Sequence, residues 1–346
     1  MRSHFSLNQG VAAACAVAGA ATMLQGNCSA QNPIAADYAT NSTYLSGWSA
    51  GQNGGYGFGA WSMNGTEATS PIEAAMDRTS PLNPFGVAWA LYNPEGTTPG
   101  SGCVNPPTGT DISRAGRALP NGGLRPGDTF STVISNPTDR TFYRGYTLVL
   151  STGSDNIAYG GTGQQVAVGT FEYFTYGKWY TSQGNTTLFD TDTSTNGVRI
   201  DITLTSTNTF HALMTPVGSP GLAYSTDGTL ENKNLPEQGA VNWVTYQLYN
   251  TDSSFYPTLA PCGPERTDFY IKSMSVSGLT LNIQKVGSNA ILTWPAFLSN
   301  FTLESTGVLG PSANWQPVSP PPTVVGDQNV VTNALTGARQ FYRLKL

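Results

Sequence analysis

Residues 172–185 read EYFTYGKWYTSQGN. One carboxylate, Glu172, is followed by the rings of Tyr173, Tyr176, Trp179 and Tyr180 and then by the amides Gln183 and Asn185. Planar rings and amides at this density suit stacking on the apolar face of a sugar ring, with hydrogen bonds to its hydroxyls. In extended chain Tyr173 and Trp179 fall on one side and Tyr176 and Tyr180 on the other, so one set points outward unless both sheet faces are buried. These six residues, 173 to 185, are therefore the ligand-binding candidates; the alternative is rings that pack on or under a sheet. Glu172 lies among aromatics, a setting that raises a carboxyl pKa. It is a candidate acid for glycoside hydrolysis, which needs a second carboxylate that the spacing does not supply. The simpler reading is a solvent-facing strand glutamate, so no catalytic residue is expected.

Two other patterns bear on chemistry. FDTDTSTNG, residues 189–197, places Asp190, Asp192, Ser194 and Asn196 in alternation before Gly197. Short oxygen-bearing side chains of this kind can hold structural Ca²⁺, with Asp190, Asp192 and Asn196 as ligands. STDGTLENKN, residues 225–234, adds Asp227, Glu231 and Asn232. Polar turns closed by Asx hydrogen bonds explain both stretches without a metal. No other cofactor is expected. Only two histidines occur, His4 and His211. A histidine-built zinc site needs more ligands, and no G-x-S-x-G elbow accompanies His211 for nucleophilic catalysis.

The elements that must position these groups are strands. Charged residues make up only 11% of the chain, against 39 Gly and 23 Pro, a balance that favours turn-rich β-structure over helices. Runs rich in Val, Ile, Thr, Tyr and Phe occur at 128–135, 145–151, 164–174, 197–206, 209–217, 242–250 and 268–276, separated by turn signals such as STGSDN, SPG and STDG. VRIDITLT alternates most cleanly: Val198, Ile200, Ile202 and Leu204 on one face, Arg199, Asp201, Thr203 and Thr205 on the other. On the next run Phe210, Ala212 and Met214 share a face, with His211 and Leu213 opposite. One helical turn is expected in SPIEAAMDR, with Ser70 as N-cap and Pro71 at the first position. Many short strands predict an all-β jelly-roll sandwich.

The first thirty residues read as a secretory signal: Arg2, an apolar run from Val11 to Leu24, and small residues Cys28 and Ala30 before a cleavage point. Removal of that segment leaves Cys103 and Cys262, both in Gly/Pro loops, and an even pair in an exported chain is expected to form a disulfide. The expected location is outside the cell or on its surface. A net charge of −5 with no dense basic run argues against nucleic acid as a partner. No later run has the length and apolarity of a membrane span.

Near residue 278 the texture changes. The remaining chain carries short strands of its own at 290–294, 301–305, 328–331 and 341–344. The expected organisation is a signal peptide (1–30), a jelly-roll domain (31–278) and a small second β-sandwich module (279–346).

The phrases GWSAGQNGGYGFGAW, NPFGVAWALYN, RAGRALPNGGLRPGDTFSTVISN, NGVRIDITLTSTNTFHALMTPVG and DFYIKSMSVSG resemble exported bacterial proteins with a concanavalin-like or laminin-G-like jelly-roll. The tail, with its TW, TLES, NWQPV and FYRL phrases, looks like a short C-terminal β-module of secreted bacterial proteins. That resemblance implies the jelly-roll and makes structural Ca²⁺ more plausible. It carries no activity, because such sandwiches host lectins, adhesins and hydrolases alike. The glucanase members place paired acids on one strand. Here RIDITL offers Asp201 alone, with Arg199 and Thr203 in the neighbouring places. The expected function is therefore non-catalytic binding, with a glycan or cell-surface polymer as partner. A structural or adhesive surface protein is the alternative, and a glycoside hydrolase a further one. GWSAGQNGGYGFGAW itself, residues 47–61, is expected to be an opening hairpin around Asn53-Gly54 with its rings in the core.

Overall fold

The computed structural model describes residues 15–18, 33–65, 74–78, 83–92, 111–135, 144–152, 165–171, 178–181, 187–190, 196–230, 240–250, 268–335 and 339–346. Among these residues the regular structure is almost entirely β. The first strands are β1 (Cys15–Ala18), β2 (Ala35–Tyr38), β3 (Ser62–Gly65), β4 (Ala74–Asp77), β5 (Ala88–Tyr92), β6 (Asp111–Ala118), β7 (Thr129–Ser135) and β8 (Arg144–Ser151). Next come β9 (Gln165–Phe171), β10 (Lys178–Thr181), β11 (Thr187–Asp190), β12 (Val198–Leu204), β13 (Thr209–Pro216), β14 (Tyr224–Thr229), β15 (Trp243–Asn250) and β16 (Asp268–Ser277). The chain closes with β17 (Asn282–Val286), β18 (Asn289–Pro295), β19 (Thr302–Thr306), β20 (Gln316–Pro317), β21 (Thr323–Val325), β22 (Gln328–Ala334) and β23 (Arg339–Lys345). No helix among the described residues is long and apolar enough to cross a membrane.

The chain divides into two compact units. The larger, Pro33–Leu124 with Thr129–Ser277, is a jelly-roll sandwich of two antiparallel sheets. One sheet has seven strands in the order β11-β10-β9-β8-β15-β6-β3. The other runs β14-β13-β12-β7-β16-β5-β4, with β2 also paired to β16. The alternation of the sequence decides what lies between them. Val198, Ile200, Ile202 and Leu204 of β12, with Phe210, Ala212 and Met214 of β13, share one core with Leu148 and Leu150 of β8 and Val244, Tyr246 and Leu248 of β15. Each such side chain taken fully out of water contributes about 1.5–3 kcal/mol, so a one-residue slip in any strand would be costly. His211 and Leu213 fall on the opposite face from Phe210 and Met214, half-buried.

Three local expectations are corrected. Residues 74–77 of SPIEAAMDR form strand β4, not a helical turn: Ala74–Asp77 pairs with Leu91–Ala88, and that pairing overrides the helix preference of Ala and Met. STDG is not a turn but the middle of β14, held along its length by β13. Residues 47–61 are not a hairpin. The stretch runs without a strand of its own, touching the sheet through one bridge from Tyr56 to Ala36 and through β3, which begins just after Trp61. Its rings divide: Trp48, Phe58 and Trp61 are in the core, while Tyr56 is 51% exposed.

The smaller unit takes in Gly278–Leu346, Arg125–Asp128 and strand β1. It is a second sandwich, of sheets β17-β18-β22-β21 and β1-β23-β19-β20. Its own core joins Leu281, Ile283, Leu292, Trp294, Leu303, Val331, Tyr342 and Leu344. Pro317 lies in β20 at the sheet edge, where a missing N–H costs no ladder bond. β1, within the expected signal segment, pairs antiparallel with β23.

Candidate functional site

Strand β6 reads DISRAGRA, and its two arginines point to opposite sides of the seven-stranded sheet. Arg117, opposite the core residue Val244, faces inward. Its Nη1 donates to Asp37 Oδ2 at 2.6 Å, and neither side chain has any exposed surface. Its Nη2 donates to Asn53 Oδ1 and to the carbonyl of Gly59, both at 2.6 Å. The guanidinium also lies 5.0 Å from the Phe58 ring centre and 4.7 Å from that of Trp61. Asp37 accepts further bonds from Asn41 Nδ2 at 2.7 Å, from the Tyr44 hydroxyl at 2.5 Å and from the Tyr38 backbone N–H at 2.8 Å. Tyr44 in turn accepts from Gly54 N–H and Trp61 Nε1. Burial pushes the Tyr44 phenol above its usual pKa, reinforced by its bond to Asp37. The glycine-rich stretch is thus pinned to a buried ion pair. Gly55 shows the closeness: a Cβ there would lie 2.1 Å from the Ala36 carbonyl oxygen.

Arg114, on the other face, has different company. The register aligns Asn64 of β3, Arg114, Gln247 of β15, Thr147 of β8, Gly169 of β9 and Tyr180 of β10 in one row across the sheet. The next rows align Gly116, Thr245, Val149 and Ala167, then Ala118, Trp243, Ser151 and Gln165. All these positions alternate with core residues, so they belong to the outer face. Yet Thr147, Val149, Ser151, Thr245 and Gln247 are buried. Four polar atoms on this face, Thr147 Oγ1, Ser151 Oγ, Thr245 Oγ1 and Trp243 Nε1, have no hydrogen-bond partner. The other unpartnered buried side-chain atoms among the described residues are indole nitrogens of Trp48, Trp89 and Trp294, within the two cores. Each buried orphan carries a desolvation cost of roughly 1–3 kcal/mol. All four lie on the adjacent strands β8 and β15.

Glycine shapes the same spot. A Cβ at Gly116 would lie 2.6 Å from Trp243 Nε1 and 3.1 Å from Thr245 Oγ1, so the indole edge settles over β6 where a side chain is missing. The Trp243 side chain itself is half-buried. The face therefore joins a half-buried ring to buried hydroxyls and an indole N–H that lack partners.

The expected site residues are distributed unevenly. Tyr180 takes its place in the outer-face row with Thr147, Gln247 and Arg114. Trp179 pairs with Thr170 and Phe189, in the alternate row that contains Tyr146 and Leu248. Asp190 ends β11 opposite Lys178, and Asn196 is exposed just before Gly197, whose φ is +96°. Glu172, Tyr173, Tyr176, Gln183, Asn185, Asp192, Cys103 and Cys262 lie outside the described residues. No group of three or more His, Cys, Asp or Glu side chains among the described residues is placed to hold a metal ion. Asp227 hydrogen-bonds His211 Nδ1 at 2.7 Å on the outer face of the other sheet. Sequence reasoning missed Arg114, Thr147, Trp243, Thr245 and Gln247. Their signal was the polar phase of GYTLVLS and NWVTYQLYN, which alternation alone assigns to solvent.

No protein family matches the chain, and no curated protein does. Solved structures similar to it include a family 16 glycoside hydrolase from Mycobacterium smegmatis, 12% identical, covering 71% of this chain and 100% of that one at a TM-score of 0.36. Lectin UEA-II complexed with galactose is 11% identical, covering 64% and 93%, with a TM-score of 0.33. A structure described under endo-acting O-glycanases of the human gut microbiota is 8% identical, covering 72% and 100%, with a TM-score of 0.42.

Proposed function

We propose that this protein binds carbohydrate on the outer face of its seven-stranded sheet. The observation that carries the reading is the cluster of Thr147 Oγ1, Ser151 Oγ, Thr245 Oγ1 and Trp243 Nε1, buried and unpartnered beside the half-buried Trp243 ring. A sugar presents hydroxyls that both donate and accept, and a ring face that stacks on an indole. Those are the complements of what this face offers. The three central rows hold Arg, Gln, Asn, Trp, Thr, Ser, Tyr, Val, Ala and Gly at their described positions, and none of these is a carboxylate. Glycosyl transfer to water needs a pair of them, and what is proposed here is binding. The export signal, the Cys103–Cys262 disulfide and a structural Ca²⁺ near Asp190 belong to the same proposal, that of a protein working outside the cell on a glycan or surface polymer.

The test is affinity electrophoresis of the full chain through gels containing neutral and acidic polysaccharides. The wild-type protein is expected to be retarded by at least one. Trp243→Ala should lose the retardation while keeping the far-UV spectrum and melting transition of the parent. Free migration of the wild type in every gel, or undiminished retardation of Trp243→Ala, would overturn the reading.

A further inference from the structure

We infer that the glycan bound on this face is acidic, and that Arg114 receives a ring carboxylate of a uronic acid. The inference rests on the carbohydrate reading above and adds the class of sugar.

Two arginines three residues apart on β6 make the comparison. Arg117 is buried with a carboxylate against it. Arg114 is also buried, 9% exposed, but among the described residues no carboxylate pairs with it; its one hydrogen bond is from Nε to Gln247 Oε1 at 3.0 Å. Burial lowers its pKa from the usual guanidinium value, yet an arginine stays charged at any ordinary pH. A cation held out of water without a counter-charge is costly, and the fold retains it on the face where the unpartnered hydroxyls lie. Gln247 fixes the Nε edge and so orients the rest of the guanidinium, and Nη1 and Nη2 have no hydrogen-bond partner among the described residues. That planar pair matches the two oxygens of a carboxylate.

The placement agrees with a sugar ligand of more than one ring. Gln247 lies between Arg114 and Thr147 in the same row. Trp243 is four residues along β15, about 14 Å away at the usual strand rise. An oligosaccharide stacked on Trp243 and hydrogen-bonded at Thr245 and Thr147 reaches Arg114 with a neighbouring residue of its chain. The protein as a whole carries a net charge of −5, so attraction for an acidic polymer has to be local.

The experiment uses polygalacturonate, the same polymer after carboxyl reduction, and dextran sulfate, each titrated against the full wild-type chain and Arg114→Gln. Wild type is expected to bind polygalacturonate at least about tenfold more tightly than its reduced form, and more tightly than dextran sulfate. Arg114→Gln should bind the native and reduced polymers equally. The wild-type comparison of the two polymers needs no variant and stands even where the substitution disturbs folding. Equal or stronger wild-type binding of the reduced polymer would overturn the acidic-sugar inference and leave carbohydrate binding intact. Preference for dextran sulfate over polygalacturonate would overturn the assignment of a carboxylate. Binding of no polysaccharide at all, neutral or acidic, would overturn both.

Discussion

Arg117 Nη1 and Asp37 Oδ2 meet at 2.6 Å with no exposed surface on either side chain. Every strong acceptor or donor around them is engaged: Asn41, Tyr44 and Asn53 side chains, and the Gly59 carbonyl. Such a pair contributes little net stability compared with apolar packing, but either half alone is a buried, uncompensated charge. Asp37→Asn and Arg117→Met should each lower stability by about 3–5 kcal/mol. Urea unfolding followed by tryptophan fluorescence checks this, because Trp61 sits against the guanidinium. The double variant should lose less than the sum of the two.

Gly55→Ala tests the same region without touching a charge. The added methyl would press into the Ala36 carbonyl oxygen at 2.1 Å and the Asp37 Cβ at 2.6 Å. Backbone atoms of a paired strand cannot step aside cheaply. Melting should fall to an extent comparable with Asp37→Asn, while Gly51→Ala, with open space around it but φ of +87°, should cost only about 1 kcal/mol.

On the outer face, Gly116→Ala is expected to displace the Trp243 indole, whose Nε1 lies 2.6 Å from where the methyl would sit. Carbohydrate affinity should fall about tenfold, the loss expected from misplacing one stacking ring and its N–H. Titration against the polysaccharide that retards the wild type reads the effect directly.

Asp128 predicts a pH signature in the smaller unit. Its carboxyl is pushed above the ordinary carboxylate pKa, chiefly by burial, although the Arg125 backbone N–H and the Arg125 charge pull the other way. The folded state therefore holds its proton more tightly than the unfolded chain does. Stability falls as pH rises from the ordinary carboxylate value through the raised one. Asp128→Asn, which keeps the carbonyl acceptor for Arg125 N–H, should raise the melting temperature at pH 7 and lose that advantage at pH 3. A melting series across that range decides it.

The proposed Cys103–Cys262 bridge is checked by intact mass before and after reduction and alkylation. One bridge leaves both sulfurs blocked until reductant is added. Labelling located at Cys103 and Cys262 in the unreduced protein would count against it.

Much of the sandwich was legible in the sequence because alternation is local. VRIDITLT sets out its core face, and β12 buries the expected four, although Thr203 and Thr205 of the other face are buried as well. β6 could not be read this way. DISRAGRA has a single branched residue, Ile112, and no aromatic one, and its state is imposed by β15 on one side and β3 on the other. β14 was hidden for the same reason, its STDG having turn composition but strand partners. The candidate site suffered most. Thr147 and Thr245 stand at positions that alternation gives to water, and only the tertiary structure buries them. Rows across six strands depend on registers set by contacts between distant parts of the chain, and no window of sequence contains them. Tyr180 was anticipated as a ligand residue and has a register position beside these groups, whereas its neighbour Trp179 falls in the alternate row.

β2 is made early and pairs with the far end of β16, Ala35 opposite Val276, while its Asp37 reaches Arg117 on β6. As the chain emerges from the ribosome, the first strand of the larger unit has no sheet to join until the last has been made. Contacts of such long sequence separation make folding slow and late. Until then Asp37 and Arg117 remain in water, where each is hydrated and neither is strained. A chain that stops before β16 therefore lacks the strand that its first one pairs with.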